Sequence, residues 1–162
     1  VDDRDELSRR LWTLREMMSQ LLFALEVQQL ILANDRMRWL PTITETVENV
    51  VDLIRVAEAE RIIVSQRVAR AYGLREDASL AELANVAPDP HGEIWRQSRI
   101  HLLAIQAEID EFTQENQALN RRGMGSTTAV VRHLEGESTA TYDPHGAAAR
   151  LAPATSRFDR TG

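Results

Sequence analysis

The chain contains no cysteine and no lysine; all nineteen of its basic side chains are arginine. Without cysteine there is no disulfide framework and no thiolate metal site, which suits a reducing cytoplasm. The arginine-only composition reads as codon bias towards G+C. On an exposed helix an arginine–carboxylate pair contributes little in any case. No apolar run approaches the ~18–20 residues needed to cross a bilayer, and the acidic start Asp2-Asp3 is unlike a signal peptide. Neither membrane insertion nor a leader is expected. A net charge of −6 argues against a nucleic-acid partner, which requires a concentrated basic face.

The chemistry of catalysis is missing as well. No Glu-x-x-His pair occurs, so the ligand set of a di-iron carboxylate bundle is not there. His91, His101, His133 and His145 are scattered, with no second ligand at metal spacing on one helical face. No phosphate-binding glycine loop is present, and Gly123-Met124-Gly125 reads as a helix terminator. Glu108, Asp110, Glu111 and Glu115 read as the solvated flank of a helix. No catalytic residue, metal or cofactor is expected.

What the chain does have is a 4-3 rhythm. Leu7, Leu11, Leu14, Met18, Leu21 and Leu25 recur at alternating spacings, Gln28 fills the next slot and Leu32 resumes. Such a stripe is the seam of a helix laid lengthwise along another. It predicts a first helix over about 3–33, broken at Asn34-Asp35. Thr42-x-x-Glu45 predicts a capping box opening a second helix, with the stripe Val47, Val50, Ile54, Ala57, Arg61, Val64, Val68 and Ala71. Arg61 is expected to pair with Glu58. Gly73 is placed to end that helix, with Leu74 folding back on its last turn.

Ser79-x-x-Glu82 predicts a short helix over 80–86. Asp89-Pro90 then starts a third long helix. Its stripe is Ile94, Ser98, Leu102, Ile105, Ile109, Phe112, Asn116 and Leu119, its end is expected at Gly123 and Gly125, and Arg121-Arg122 would sit at the negative end of its dipole. Asn116, polar on a seam, is expected to fix register. Trp12, Trp39 and Trp95 are expected to pack. Asp-Pro-His-Gly occurs at 89–92 and again at 143–146, read as a reused start for a helix. The fold class is all-α: an elongated antiparallel bundle of three long helices with coiled-coil-like seams. A short C-terminal helix and a flexible tail are expected after it.

From Gly123 onward the rhythm stops. Residues 123–162 hold only Met124, Val130, Val131, Leu134, Tyr142, Leu151 and Phe158 as large apolar side chains, too few for a core. A helical fragment over 128–134 would carry Val130, Val131 and Leu134 on one side and would be marginal alone. The chain therefore divides into a bundle over 1–122 and an interaction segment over 123–162. Tyr142, in a polar stretch with nothing to bury it, is a candidate for contact with a partner.

In the order and spacing of several short motifs the chain resembles the flagellar type III export chaperones for the hook–filament junction proteins, the FlgN-like family. The motifs are Leu21-Leu22-x-x-Leu25-Glu26, Glu58-x-x-Arg61, Gly73-Leu74, Ser79-Leu80-x-Glu82-Leu83, Asn116-x-x-Leu119-Asn120 and Thr141-Tyr142-Asp143-Pro144-x-Gly146. The resemblance implies a cytoplasmic, non-enzymatic helical protein. It would bind the C-terminal helix of a junction protein, prevent its premature assembly and carry it to the membrane export gate. It also implies cargo contact at Val130, Val131 and Leu134, and gate contact at Tyr142. The glycines at 123 and 125 depart from a family pattern that continues in helix, which brings Phe112, Asn116 and Leu119 into the expected cargo site.

A self-associating coiled-coil scaffold, including a homodimer, would show the same seams. A helical chorismate mutase-like enzyme would need Arg9, Arg10 and Arg15 to converge on a dicarboxylate.

Overall fold

The computed structural model describes residues 2–134, with side chains described as far as Gly123. Four helices make up this part: α1 (Asp3–Ala33), α2 (Leu40–Ala71), α3 (Leu80–Val86) and α4 (His91–Leu134). The all-α bundle expected from the stripes is what the chain forms.

Local chemistry sets most of the boundaries. The Asp2 side chain accepts the Arg4 N–H at 3.0 Å, and Asp3, Asp5 and Glu6 occupy the first turn of α1, where carboxylates meet the positive end of the helix. Hydrogen bonding to the Arg4 side chain holds the Asp2 carboxyl down to about 2. α1 stops at Asn34, whose side chain donates to the Leu30 carbonyl at 2.8 Å. Asp35 then takes the left-handed conformation at φ 54°, a strain that Asp tolerates better than most residues. At the end of α2, Gly73 sits at φ 69° and the Leu74 N–H reaches back to the Ala69 carbonyl at 2.9 Å, closing the last turn. At α3 the Ser79 hydroxyl accepts the Glu82 N–H at 3.2 Å while Glu82 accepts the Ser79 N–H at 2.7 Å. That reciprocal cap lowers the Glu82 carboxyl below its ordinary range.

Two boundaries differ from expectation. α2 does not begin at a Thr42 capping box. A 3-10 turn over Met37–Trp39 runs straight into Leu40, with Pro41 in the first turn, where its missing N–H leaves no bond unmade. Thr42 is thereby already helical, its carbonyl accepting from the Thr46 hydroxyl at 3.0 Å. The second difference is larger. α4 does not stop at Gly123 and Gly125; it runs 44 residues to Leu134, so the fragment at 128–134 is its last part and Arg121-Arg122 lie within it. Glycine weakens a helix interior by only about 1 kcal/mol. It ends a helix where the backbone turns left-handed, as at Gly73, and among the described residues Gly73 is the glycine that does so.

α1 is the central element. It packs along its length on both α2 and α4, while α2 and α4 scarcely touch. Cross-pairs give the directions. Asp3 meets Arg67, Arg10 meets Glu60 and Gln28 meets Thr44, so α1 and α2 are antiparallel. Asp5–His91, Arg15–His101 and Gln29–Glu115 are each 86 apart, and Ser8–Trp95 is 87 apart. α4 therefore runs parallel to α1 in one constant register. α3 packs on the start of α4 and also touches α2. The approach is close: a Cβ on Gly92 would stand 2.6 Å from the Ala87 carbonyl oxygen and 2.9 Å from that of Ala84.

The α1 stripe is buried as expected from Leu7 to Leu25. On α2 the buried positions are Val47, Val51, Ile54, Ala57, Val64, Val68 and Ala69, so Val51 and Ala69 replace Val50 and Ala71. On α4, Trp95 and not Ile94 enters the core, fully buried with its indole N–H donating to the Ser8 hydroxyl at 3.0 Å. Trp12 and Trp39 do not pack as expected: they are 63% and 51% exposed, with the Arg38 guanidinium over the Trp39 ring at 5.1 Å. Glu58, Arg61 and Ser65 form a buried polar cluster on α2. Arg61 grips both Glu58 oxygens at 2.7 and 2.8 Å and donates to Ser65 at 3.1 Å.

Candidate functional site

The constant α1–α4 register locates the place where the bundle ends and α4 does not. At an offset of 86, Ala33, the last residue of α1, lies abreast of Leu119. Beyond it the 3-10 turn stands beside α4, with Met37 Cε 3.9 Å from where a Cβ would stand on Gly123. Helix α4 goes on to Leu134, and eleven further residues at 1.5 Å per residue carry it about 16 Å past the α1–α2 connection.

The seam of α4 continues in sequence along this extension. Leu102, Ile109, Asn116, Gly123 and Val130 follow one another at intervals of seven, as do Gln106, Thr113, Asn120, Thr127 and Leu134. Leu102, Gln106, Ile109, Asn116 and Asn120 are buried against the bundle. Val130 and Leu134 therefore occupy the same register positions where α1 has ended.

The expected cargo residues divide along this line. Asn116 is 4% exposed, its amide donating to the Leu25 carbonyl at 2.8 Å and to Gln28 Oε1 at 3.1 Å. It sits inside the α1–α4 seam, where it fixes register, and offers no free surface to a partner. Phe112 and Leu119 are half-buried, Phe112 against the core. Val130, Val131 and Leu134 lie on the α4 extension, and their side chains fall outside the described part. Tyr142 and the second Asp-Pro-His-Gly fall outside the described residues altogether.

Two surfaces were not foreseen. At the root of the extension a groove of about 510 Å³ is lined by Met37, Leu40, Pro41, Thr44, Glu45, Glu48 and Asn120. Its floor comes from the connection and the first turn of α2, which no periodicity marks. The other is a line of exposed apolar side chains on α1: Trp12, Phe23 and Leu30, at 63%, 68% and 58%. Their spacings of eleven and seven keep them on one face of the helix, so this stripe was open to discovery.

Nothing in the described part resembles a reaction centre. Carboxylates with lowered pKa are each accounted for by hydrogen bonds from near neighbours: Asp2 from Arg4, Glu82 from Ser79, and Glu93 from Gln97 and Arg96. Among the described residues no three His, Asp or Glu side chains gather to hold a metal. Arg9 and Arg10 pair with Glu6, and Arg15 with His101, so they do not converge. Among the same residues no helix is long and apolar enough to cross a membrane.

A family model described as FlgN protein matches residues 3–150. No curated protein and no solved structure matches the chain.

Proposed function

The chain belongs to the FlgN family, the flagellar export chaperones, and on that footing we propose that it escorts a hook–filament junction protein through the cytoplasm. In this proposal the C-terminal amphipathic helix of the cargo lies on α4 beyond Gly123, contacting Val130, Val131 and Leu134, with Leu119 at the border. Residues 123–162 are the interaction segment and residues 1–122 the scaffold. The observation that supports the proposal is the length of α4, which runs to Leu134 while α1, in register with it, ends at Ala33 abreast of Leu119.

The energetics suit a cargo that must be released. Each of the three aliphatic side chains contributes about 1.5–3 kcal/mol when fully buried, and ordering and immobilisation offset much of that. Held on this face, the cargo helix cannot pair with its assembly partners. Delivery to the type III export gate is assigned to Tyr142, as the chain's resemblance to the family implies.

Calorimetric titration with C-terminal fragments of junction proteins tests the assignment. Val131→Asp is expected to weaken binding by tenfold or more, about 1.4 kcal/mol or above, with thermal unfolding nearly unchanged. A large loss of stability would place Val131 in the core instead. Tyr142→Ala is expected to leave that binding intact and to impair export. Loss of cargo binding in this variant would overturn the division of roles.

The exposed line Trp12, Phe23 and Leu30 favours one other role, self-association as a scaffold. Sedimentation without cargo distinguishes it: a stable oligomer growing with concentration would support the scaffold, and a monomer would exclude it.

A further inference from the structure

We infer that the groove at the α1–α2 connection binds an extended peptide segment by its main chain, the Asn120 side-chain amide bridging the N–H and C=O of one residue of that segment. Every residue lining the groove lies in the described part. That the segment belongs to the cargo rests on the proposed function; the site and its ligand chemistry use no residue of the α4 extension.

Asn120 supplies the first argument. Its side chain is only 9% exposed and lines the groove, so the part of it that remains accessible opens there. Asn116, one turn earlier, spends its amide on the Leu25 carbonyl at 2.8 Å and on Gln28 Oε1 at 3.1 Å. The Asn120 amide has no hydrogen-bond partner among the described residues. Thr44, the other neutral polar side chain of the lining, already accepts from Gln28 at 3.2 Å. A nearly buried amide without partners is costly, and a ligand that brings one donor and one acceptor removes that cost.

An extended peptide brings both. The N–H and C=O of one residue point to the same side of such a chain, as in the paired residues of an antiparallel ladder. In a helix they are already bonded along the axis. Asn120 Nδ2 donates to the C=O, and Oδ1 accepts from the N–H. Successive side chains of an extended segment point in opposite directions, so one rests on the apolar floor of Met37, Leu40 and Pro41 while its neighbours face solvent. The space of about 510 Å³ matches sites for ligands of a few hundred daltons, enough for a short segment. Charge selects neither sign nor direction, because Arg36, Arg38 and Arg121 stand at the same end as Glu45 and Glu48, all of them exposed. Recognition therefore comes from main-chain hydrogen bonds and one apolar side chain.

Calorimetric titration of the full chain with a C-terminal junction-protein fragment, its amide bonds replaced one at a time by esters, tests the main-chain contact. An ester removes one N–H and leaves every side chain in place. At one position the ester is expected to weaken binding to the wild-type chain about fivefold. The same ester should have no effect on binding to Asn120→Leu, whose affinity for the unmodified fragment is itself expected to be about fivefold lower or more. Ester losses of equal size in both chains would overturn the inference, as would unchanged affinity in Asn120→Leu with its thermal unfolding intact. A photo-crosslinking side chain in place of the exposed Pro41 reads the groove with Asn120 untouched. Adducts at the ester-sensitive position and its immediate neighbours are expected. Adducts on residues 135–162 of the chain itself or on a second copy would overturn the inference. A complex free of adducts would overturn it and leave the proposed function standing, whereas absence of any complex by calorimetry would remove both.

Discussion

Trp95→Ala is expected to lower the unfolding free energy by about 3–5 kcal/mol, the range found when a large buried aromatic is truncated. Trp95 is the largest fully buried side chain of the described part. It sits near the start of α4, where α3 packs on it. Its indole N–H donates to the Ser8 hydroxyl at 3.0 Å, which in turn donates to the Arg4 carbonyl at 3.0 Å. Truncation removes the apolar contacts and leaves Ser8 without the indole. Trp95→Phe keeps most of the volume and is expected to cost only about 1 kcal/mol more than a repacked core, the net worth of one hydrogen bond. Urea unfolding followed by circular dichroism measures both. A loss below 1 kcal/mol in Trp95→Ala would mean that α3 and the α4 start do not unfold together with the bundle.

Glu58→Ala is expected to cost about 3–5 kcal/mol, because it removes the carboxylate that the Arg61 guanidinium, only 5% exposed, grips with two bonds. The native geometry is a two-bond grip from Arg61 Nε and Nη2 to the two Glu58 oxygens at 2.8 and 2.7 Å, with Ser65 accepting from Nη1. Breaking a buried pair on one side is far more harmful than replacing it whole. Hence the double variant Glu58→Leu with Arg61→Met is expected to be more stable than either single substitution. A double-mutant cycle by urea unfolding checks this, and additive losses would show that the pair is not coupled. The pair lies on α2, away from the α4 extension, so cargo affinity of the folded double variant should stay near that of the wild type.

Where sequence reasoning succeeded, a physical signal was local and unambiguous. The 4-3 leucine stripe placed α1 over about 3–33, and the Ser79–Glu82 capping box placed α3 over 80–86. Asn116 on a seam announced its role, since a polar side chain there has to find a partner, and it found the Leu25 carbonyl. Where reasoning failed, the signal was weak or depended on tertiary context. Gly123 and Gly125 were weighted as stops, yet their propensity cost is small beside the bonds of a continuing helix. Thr42-x-x-Glu45 matched a cap pattern, but the 3-10 turn had already started α2. Trp95 displaced Ile94 from the core by one position, a rotation that a stripe mixing 3- and 4-residue steps does not resolve. The groove was invisible because Met37, Leu40 and Pro41 come together only when the connection folds against Asn120.

The misplaced helix end matters most for function. Because residues 124–134 continue α4, a cargo helix bound there, as proposed, would meet a helix already nucleated by its buried portion and need not bear the cost of starting one. Under the proposed function the bundle is the nucleus for the helix that meets the cargo.

Amide hydrogen exchange along α4, with and without a junction-protein C-terminal fragment, tests this most directly. In the free chain, the amides of residues 124–134 are expected to exchange much faster than those of residues 102–120, which are packed against α1. Addition of the fragment should slow residues 124–134 and leave residues 102–120 unchanged. Equal slow exchange along the whole helix without cargo, or no slowing when cargo is bound, would contradict the account.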